Sequence, residues 1–421
     1  LDLPLAPAFS TSRVAGQRAG RFEYFQIDIP TNALGLELKL ANVASGDPRL
    51  VVCRDLLPVD LRTILVNSNA WTPNTMTNWP NGAQIAYTTD WTGYTSDARG
   101  TNEQGHFFFA GRGNPLEPGV YYVGIANASG TNIVDCDLMV RGLFPEGPFA
   151  DLAFEDARSQ ASVVPHDSWW YRVNVPTNSP SWKLRLDLSG DGMLVLRQDK
   201  LPNYGAGVFA PTNIAGVKLQ KLGNEHFLLL PNSPDSNVLA GTYYVGVIGE
   251  GQNPVAPRAG SNTCSFTVTS EGPLLLADLG TVDRLGTTSL VLTQSQEGGE
   301  VHGFRFTVLS NTPVIEVRLR DRTAYPRMVL RSDSQLARLP DTAIAAVGRP
   351  PGPTTNSSGC RRPPQAFTRC WSRRRGFPAN IRMRPTRSMF PPSSHSRSRS
   401  TTASLRSPTN RRMVGGILAL P

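Results

Sequence analysis

The stretch Phe25-Gln26-Ile27-Asp28-Ile29-Pro30 alternates apolar and polar residues, and the same pattern returns twice further along the chain. The later copies are Tyr171-Arg172-Val173-Asn174-Val175-Pro176 and Phe304-Arg305-Phe306-Thr307-Val308-Leu309. A period of two residues is typical of a β-strand with one buried face. Recurrence at a long interval indicates one kind of domain repeated in tandem. The sequence therefore predicts three related β-domains.

Each copy continues with further strands at matching positions. The next strand carries three alternating aliphatic residues in every copy: Leu36/Leu38/Leu40, Leu184/Leu186/Leu188 and Ile315/Val317/Leu319. The strand after it is closed each time by a Leu-Pro pair, at 57–58, 201–202 and 339–340. Because proline has no amide hydrogen to donate, it ends a strand cleanly.

The first two copies also share a glycine-tyrosine strand. It reads Gly119-Val120-Tyr121-Tyr122-Val123-Gly124 in the first copy and Gly241-Thr242-Tyr243-Tyr244-Val245-Gly246 in the second. A histidine-led strand precedes it and a cysteine-bearing strand follows it in both copies. Short strands separated by turn residues predict an all-β fold of tandem antiparallel β-sandwiches.

These matches divide the chain. Repeat 1 covers residues 1–146, repeat 2 covers 147–271, and the first half of repeat 3 covers 272–348; residues 349–421 form a tail rich in Arg, Pro and Ser. Repeats of this length are large enough to fold independently. Repeat 1 is expected to be incomplete at its N-terminal side, because little sequence precedes its first strand.

The glycine-tyrosine strand of repeat 2, together with the stretch from Trp170 to Leu196, resembles the bacterial pre-peptidase C-terminal domain, a relative of collagenase collagen-binding domains. The resemblance covers repeats 1 and 2 and the first half of repeat 3. It implies jelly-roll-like β-sandwiches appended to a secreted or cell-surface bacterial protein, with an extracellular or cell-surface location. Related modules often bind calcium, so the resemblance leaves two alternatives for this chain: no cofactor, or a bound calcium ion.

The tail accounts for the net charge of +9. It holds 15 Arg and no Lys, Asp or Glu, so residues 1–348 hold 27 basic and 33 acidic groups. The repeats are therefore acidic, which argues against nucleic acid as a partner. The tail is interpreted as a disordered basic arm, a linker without function, or translation in a shifted reading frame. The shifted frame is favoured, because the tail has room for the missing half of repeat 3 but none of its motifs.

No catalytic motif is visible. The sequence has no His-Glu-x-x-His, no Gly-x-Ser-x-Gly and no phosphate-binding glycine loop. Its longest apolar runs are far below the 18 residues of a membrane-spanning helix. His106 and His226 occupy equivalent strand starts, for which a structural role is favoured over a ligand role. The chain is therefore predicted not to be an enzyme.

The cysteines are predicted to be free thiols. Cys136 and Cys264 are repeat equivalents, so each sits alone in its own domain. Cys53 takes the place of Arg197 in repeat 2, which predicts a position on the polar face of its strand. A disulfide between Cys53 and Cys136 is the alternative.

Two carboxylates near turns are candidate metal ligands. Asp187 and Asp191 offer the oxygen atoms that a calcium ion prefers. A Gly-Asp pair recurs at the same hairpin, at 46–47 and 190–191, where it is ordinary turn chemistry. The turn interpretation is favoured over the metal site.

An insertion distinguishes repeat 1. Pro58 and His106 are 48 residues apart, whereas the equivalent Pro202 and His226 are 24 apart. The insertion, at about 59–105, carries five aromatic residues: Trp71, Trp79, Tyr87, Trp91 and Tyr94. Aromatic rings on loops stack on sugars or peptide surfaces, so these residues are candidate ligands for a polysaccharide or a matrix protein. The alternative is that the rings hold a long loop against the sandwich.

The leading functional hypothesis is a non-catalytic segment that spaces, docks or stabilises neighbouring domains of a larger secreted or surface bacterial protein. One alternative is a carbohydrate- or matrix-protein-binding module that uses the aromatic insertion. Another is a hydrolase with an unrecognised site.

Overall fold

The computed structural model describes most of the three repeats and three strands of the tail. The described residues are 1–62, 64, 79, 81–86, 106–110, 116–163, 167–190, 192–202, 216–221, 223–232, 235–249, 263–282, 290–331, 356–361, 371–372 and 413–420. Within them the chain forms strands and connecting loops and no helix, so the predicted all-β fold is confirmed. It follows that none of the described residues forms a helix suited to crossing a membrane.

Repeat 1 is a sandwich of two four-stranded antiparallel sheets. Its strands are β1 (Ser10–Gln17), β2 (Phe22–Ile29), β3 (Gly35–Ser45), β4 (Pro48–Arg54), β5 (Gln84–Ala86), β6 (His106–Ala110), β7 (Gly119–Asn127) and β8 (Val134–Leu143). One sheet has the order β1-β8-β3-β6 and the other β2-β7-β4-β5. Eight strands in these two orders form a jelly roll.

Repeat 2 repeats this topology. Its strands are β9 (Ala150–Asp151), β10 (Ala157–Val163), β11 (Ser168–Val175), β12 (Trp182–Leu188), β13 (Gly192–Gln198), β14 (Val217–Leu219), β15 (Glu225–Leu229), β16 (Gly241–Gly249) and β17 (Cys264–Gly272). The sheet orders are β10-β17-β12-β15 and β14-β13-β16-β11-β9. Strands β10 to β17 therefore take the places of β1 to β8, and β9 adds a short parallel edge strand beside β11. The predicted tandem jelly-roll-like sandwiches are confirmed.

The alternating sequence explains why each repeat forms two layers. In β11, Tyr171, Val173 and Val175 are buried in the core, while Arg172 and Asn174 lie on the other face of the strand. Burying one such apolar side chain stabilises the fold by about 1.5–3 kcal/mol. Each sandwich has its own core cluster between its two sheets.

The glycine-tyrosine motif is explained by packing in both repeats. Its first tyrosine, Tyr121 or Tyr243, is buried and donates its hydroxyl hydrogen to the backbone carbonyl four residues earlier, at 2.8 and 2.9 Å. Its opening glycines, Gly119 and Gly241, have φ values of +142° and +135°, which residues with side chains rarely adopt. The motif thus marks the entry of the same central strand into both cores.

Repeat 3 has four strands before the tail and three within it. These are β18 (Leu276–Val282), β19 (His302–Val308), β20 (Val314–Leu319) and β21 (Arg327–Arg331), then β22 (Asn356–Arg361), β23 (Trp371–Ser372) and β24 (Met413–Leu420). The sheet orders are β18-β19-β24-β21 and β20-β22-β23. Strand β24 lies between β19 and β21, as β16 lies between β11 and β13, but it lacks the glycine-tyrosine motif. Most of the tail is outside the described residues, and the shifted reading frame stays a prediction.

Repeat 1 has a counterpart for each strand of repeat 2. Even β9 is matched, by a parallel bridge between Asp2 and Gln26. Asp151 in β9 and Asp278 in β18 hold the same place beside the first long strand of their repeats. The expected N-terminal incompleteness of repeat 1 stays a prediction.

A short closed turn connects repeats 1 and 2. Six residues separate the end of β8 from the start of β9. Phe144 and Gly147 exchange two backbone hydrogen bonds across this turn, of 2.8 and 3.0 Å. The Arg172 guanidinium of repeat 2 donates to the Pro145 carbonyl at 2.9 Å. The turn therefore holds the two sandwiches next to each other.

Candidate functional site: the joints between repeats

The outer sheet faces of neighbouring repeats pack against each other, and these contacts hold the most unusual polar groups of the molecule. Joint 1 is the contact between the outer face of β3 and β8 in repeat 1 and the outer face of β11, β13 and β16 in repeat 2. Its apolar part is a cluster separate from both cores: Leu34, Leu143, Phe149, Trp170, Met193, Val195, Leu201, Tyr244 and Ile248. An outer face that is predicted to be solvated is thus buried in an interface.

A fully buried carboxylate lies in joint 1. Glu37 stands on β3 between two core leucines and is 0% exposed. Arg141, its pairing partner on β8, donates from Nε to one carboxylate oxygen at 2.5 Å. From repeat 2, Ser168 donates its hydroxyl to the other oxygen, and Trp170 Nε1 donates to Ser168 Oγ at 3.0 Å. A chain of hydrogen bonds therefore crosses from one repeat to the next.

The charge of Glu37 is only partly compensated by its neighbours. Burial has the largest effect and raises the pKa of Glu37 overall, against the Arg141 guanidinium and the Ser168 hydroxyl, which lower it. The Arg141 guanidinium also lies over the Phe9 ring, 4.3 Å from its centroid, which favours a cation. Since Ser168 belongs to repeat 2, separating the repeats would remove a hydrogen-bond donor from this buried carboxylate.

A second ion pair flanks this network. Lys39 is on β3 and Asp167 immediately precedes β11, and their Nζ and Oδ2 atoms are 2.9 Å apart. Both side chains are largely shielded from solvent. Joint 1 therefore combines an apolar cluster with one ion pair between the repeats and a buried carboxylate that accepts a hydrogen bond from repeat 2.

Joint 2 is the corresponding contact between the outer face of β12 and β15 in repeat 2 and residues 297–303 with β18 and β21 in repeat 3. His226 Nε2 lies 3.1 Å from Glu297 Oε2, and Arg185 Nη2 lies 3.8 Å from Glu297 Oε1. Lys183 Nζ lies 4.0 Å from Glu300 Oε1. The apolar part of joint 2 is a cluster of six residues: Leu228, Leu230, Leu274, Leu276, Val301 and Val329.

The acidic groups of joint 2 are held ionised by their neighbours. Hydrogen bonds from Asn224 and His226 lower the pKa of Glu297. Burial raises the pKa of Glu300, but the Glu297 amide and the His302 ring outweigh it, so the pKa is lowered overall. Burial lowers the pKa of His226 against the opposing effect of Glu297. The Nδ1 atom of His226 is buried and has no hydrogen-bond partner within the described part of the chain.

The two joints use equivalent positions of the fold. When the first long strands of repeats 2 and 3 are aligned, Asp167 corresponds to Glu300. Each is the acidic residue just before that strand, and each lies near a lysine of the preceding repeat, Lys39 or Lys183, although these lysines stand at different positions of their strands. Phe149 and Leu276 also correspond, and each belongs to the apolar cluster of its joint. Repeats 2 and 3 therefore dock on the preceding repeat through equivalent positions of their own.

Glu37, Arg141 and Ser168 are absent from the residues that the sequence singles out. Trp170 could have indicated joint 1 from the sequence. The alternation that places Tyr171 in the core places Trp170 on the outer face of the strand, where a polar residue is expected. A large aromatic residue at such a position indicates a covered surface. His226 is buried and contacts Glu297 of the next repeat, a contact that the sequence did not indicate; its predicted structural role stays a prediction.

The insertion is fixed to repeat 1 through one of its five aromatic residues. Trp79 is 0% exposed, packs edge-on against Tyr121 with 5.1 Å between ring centroids, and donates from Nε1 to the Ala83 carbonyl at 2.9 Å. The prediction that Trp79 binds a ligand is therefore wrong, because its ring belongs to the core. The other four lie outside the described residues: Trp71, Tyr87, Trp91 and Tyr94. Their ligand-binding role stays a prediction.

The candidate calcium ligands are not brought together in the described structure. The Asp187 Oδ1 atom lies 2.7 Å from Arg185 Nε, so a cation of the chain already neutralises it. Asp191 lies outside the described residues. Across the described ranges, no group of three or more His, Cys, Asp or Glu side chains is placed to hold a metal ion. Calcium binding at Asp187 and Asp191 stays a prediction.

The described cysteines are inert thiols. Cys53, Cys136 and Cys264 are buried, and none of the three is in a disulfide, which confirms the predicted thiols over the disulfide alternative. Burial raises the pKa of Cys53 to about 11 and that of Cys136 to about 12, so both stay protonated at neutral pH. Cys53 lies on the face of β4 that points away from the core residues Leu50 and Val52, but this face is covered and Cys53 is only 3% exposed. Gln84, its pairing partner on β5, binds the backbone of residues 59–62, which cover this face.

Ser168 has a structural rather than a nucleophilic role in joint 1. A serine nucleophile needs an adjacent base and an accessible hydroxyl. Ser168 is buried, and its hydroxyl is engaged by Glu37 and Trp170. No histidine contact to Ser168 is found among the residues that the structure describes. The arrangement instead holds two sandwiches in one relative orientation.

Comparison with known proteins assigns no family. No protein-family model matches the chain, and no curated protein matches it. Tripeptidyl peptidase 2 overlaps 65% of this chain and 24% of its own, at 10% identity and a TM-score of 0.18. PNGF-II matches 63% of this chain and 66% of its own, at 10% identity and a TM-score of 0.17. The major capsid protein P2 of bacteriophage PM2 matches 63% of this chain and 97% of its own, at 9% identity and a TM-score of 0.14. The match to tripeptidyl peptidase 2 therefore covers only 24% of the length of that protein. At these TM-scores the overlaps carry no argument about function.

Proposed function

We propose that the chain is a non-catalytic spacer, in which β-sandwiches dock through their outer faces and hold neighbouring domains of a larger protein at a fixed separation. The observation that carries this proposal is that repeats 2 and 3 dock on the preceding repeat through equivalent positions of their own in joints 1 and 2. Domains of one chain move relative to each other unless their interface is large and apolar. Both joints have an apolar cluster, and their charged contacts restrict the orientation of the partners.

The parent is proposed to be a secreted or cell-surface bacterial protein, with the spacer next to a peptidase or adhesive domain. This part of the proposal follows from the resemblance of the glycine-tyrosine strands to pre-peptidase C-terminal domains. The partners of the spacer are then the neighbouring domains of its own polypeptide.

Distance measurements between spin labels test the rigidity of joint 1. Labels are placed on exposed side chains of repeat 1 and repeat 2, at Ile133 and Leu239. Cys360 and Cys370 are replaced by serine, and the buried thiols are protected by their burial. A rigid spacer gives one narrow distance distribution. A broad distribution in the unmodified joint would rule the spacer function out.

Charge reversal across joint 1 provides the matched comparison. Lys39→Glu places like charges opposite each other at the Lys39–Asp167 contact and is expected to broaden the distribution. Adding Asp167→Lys to Lys39→Glu restores opposite charges at this contact and is expected to narrow the distribution of spin-label distances again. Arg13→Glu is the control, because Arg13 pairs with Asp137 inside repeat 1.

A further inference from the structure

Lys39 and Asp167 bring an amine and a carboxyl group into contact across joint 1. Lys39 Nζ donates to Asp167 Oδ2 at 2.9 Å, and the two side chains are only 14% and 24% exposed. Holding two ions away from water is costly, because each loses hydration. Transfer of one proton from Nζ to Oδ2 along this hydrogen bond turns the ion pair into a neutral amine and a neutral carboxylic acid. These are the two groups that condense to an amide with the loss of water.

The second oxygen of the Asp167 carboxyl is held as well. The backbone N–H of Ser168 donates to Asp167 Oδ1 at 3.0 Å, so each oxygen has its own donor. An amine that attacks the carboxyl carbon places negative charge on Oδ1, where this N–H stabilises it. Oδ2 has received the proton from Lys39 and is therefore the oxygen that leaves.

A buried carboxyl group lies beside this pair. Glu37 precedes Lys39 by two residues on β3, so both side chains stand on the same face of the strand. The Glu37 carboxyl accepts the hydroxyl hydrogen of Ser168, the residue next to Asp167. Burial is the main cause that raises the pKa of Glu37, and the negative charge of Asp167 raises it further. Glu37 therefore binds a proton more readily than an exposed glutamate does.

We propose that joint 1 closes covalently, through an amide bond between the Nζ atom of Lys39 and the Cγ atom of Asp167. The neutral Lys39 amine attacks Cγ, Glu37 takes a proton from Nζ and passes it to Oδ2, and the Cγ–Oδ2 bond breaks. The products are one amide and one water molecule, and the step needs no oxidant, reductant or co-reactant. The inference rests on the docked joint 1 of the proposed spacer and makes that docking permanent.

The docked geometry explains how this condensation proceeds without an activating group. Two groups that a structure holds in contact react as if at very high concentration, with effective molarities of up to about 10⁵–10⁸ M. The sandwiches hold the Lys39 amine at the Asp167 carboxyl. The shielding of both side chains also limits the access of water that would reverse the step.

A second amine–carboxylate contact of the same length provides a comparison inside the molecule. Lys183 Nζ lies 2.9 Å from Glu271 Oε2. Two positions from Lys183, on the same face of its strand, stands the cation Arg185 instead of a carboxyl group. Glu300 lies 4.0 Å from Lys183 Nζ, but its pKa is lowered, so it stays ionised at neutral pH and has no proton to give. We therefore expect no amide bond at Lys183.

The mass of the intact, denatured chain tests the proposal. The unmodified chain is expected to be lighter than its sequence by one water molecule. Lys39→Arg keeps the positive charge but removes the amine, and is expected to have the full mass of its sequence. Lys183→Arg is the matched control and keeps the loss of one water molecule. Trypsin should release residues 22–49 joined to residues 159–172, because it does not cleave after a linked lysine.

Glu37→Gln tests the proton transfer. Glutamine has the size of glutamate and still accepts a hydrogen bond from Ser168, but it does not carry a proton between Nζ and Oδ2. Loss of such a group slows a reaction by about 10²–10⁴-fold, so the freshly purified variant is expected to be largely unlinked. Spin labels at Ile133 and Leu239 check that repeats 1 and 2 stay docked in this variant.

A full sequence mass of the unmodified chain would overturn the inference, and so would a loss of water that persists in Lys39→Arg. A fully linked Glu37→Gln variant would refute the role of Glu37. Failure of the bond is separable from failure of the spacer. A narrow spin-label distribution in a chain of full mass keeps the spacer function without the bond, whereas a broad distribution rules out the spacer itself.

Discussion

Joint 1 encloses its central charge, whereas joint 2 leaves one of its glutamates half exposed. In joint 1 the Glu37 carboxylate is 0% exposed and is bound by Arg141 and Ser168. In joint 2 the Glu297 side chain is 49% exposed and is bound by His226 and Asn224. Joint 1 therefore closes over a fully buried carboxylate that accepts a hydrogen bond from the next repeat, whereas joint 2 is held by a half-exposed glutamate beside a histidine.

The difference shows how two joints between similar repeats support two mechanical behaviours. A buried ion pair adds little net stability over an apolar contact, but the loss of one partner is costly. A half-exposed pair is screened by water and salt and contributes about 0–1 kcal/mol. We therefore expect joint 1 to keep one orientation and joint 2 to respond to pH and ionic strength.

The largest expected effect comes from removing the cation of joint 1. Arg141→Ala leaves Glu37 buried without its main partner, so the free energy of unfolding falls by about 3 kcal/mol. Urea unfolding followed by circular dichroism measures the loss. Arg13→Ala removes an arginine whose side chain is 50% exposed, and it changes stability by about 0–1 kcal/mol. Equal losses of unfolding free energy in Arg141→Ala and Arg13→Ala would mean that the buried ion pair contributes no more than the exposed one.

The next effect comes from the packing of Trp170 in joint 1. A Cβ atom at Gly246 would lie 2.6 Å from the Trp170 ring, so Gly246→Ala is expected to cost about 1–3 kcal/mol. The equivalent Gly124→Ala meets Val51 at 3.0 Å and the half-buried Phe22 at 3.2 Å, and costs less because Phe22 has room to move. The reverse order in urea unfolding would show that joint 1 does not hold the Trp170 ring in place.

Acidification is expected to open joint 2 before joint 1. Burial lowers the pKa of His226, so the separated repeats bind a proton more readily than the docked ones as the pH falls below about 6.5. The lowered pKa values of Glu297 and Glu300 add a further loss only below about pH 4.5. Charged groups near His226 come from both repeats: Arg185, Lys221, Glu225, Glu297, Glu300 and His302.

Spin labels on repeats 2 and 3, at Leu239 and Leu290, report this opening. The distance distribution is expected to widen between about pH 7.5 and about pH 5.5. His226→Gln removes the titrating group and with it the pH response in this interval. A response that persists in His226→Gln would assign it to another group.

The smallest effect is expected at the exposed rim of joint 2. Arg185→Met removes contacts to Asp187 and Glu297 at 2.7 and 3.8 Å from a side chain that is 37% exposed, and costs about 0–1 kcal/mol. Lys39→Met at the shielded pair of joint 1 is expected to cost more. Added salt should reduce the Arg185→Met effect and leave the Lys39→Met effect nearly unchanged.

The fold of repeats 1 and 2 was predictable because its signals are local. Alternation in Phe25–Ile29 and Tyr171–Val175 reports which face of a strand is buried, and the glycine-tyrosine strands fix the correspondence between repeats. The Trp79 error has a different cause. The sequence pattern around an aromatic residue in an insertion is the same whether the ring faces solvent or the core. The burial of Trp79 follows from its contact with Tyr121, which the sequence does not show.

The joints were not predictable in the same way because they depend on distant partners. Glu37 has the pattern of a solvent-facing residue, and its burial requires Ser168, 131 positions away in another domain. Likewise His226 looks like an ordinary strand residue until Glu297 of the next repeat contacts it. Alternation identifies the outer face of a strand, but it does not say whether a neighbour covers that face.

The closed turn between β8 and β9 has a consequence for how strongly the faces of joint 1 must attract each other. Two surfaces joined by so short a tether meet at an effective concentration in the millimolar range, so a weak intrinsic affinity keeps them docked. Two separate chains lack this advantage and associate only when they are concentrated. In the Lys39→Arg variant, which cannot form the amide bond, a single cut in the Phe144–Phe149 turn would turn joint 1 into a contact between two molecules, and its survival would then depend on dilution.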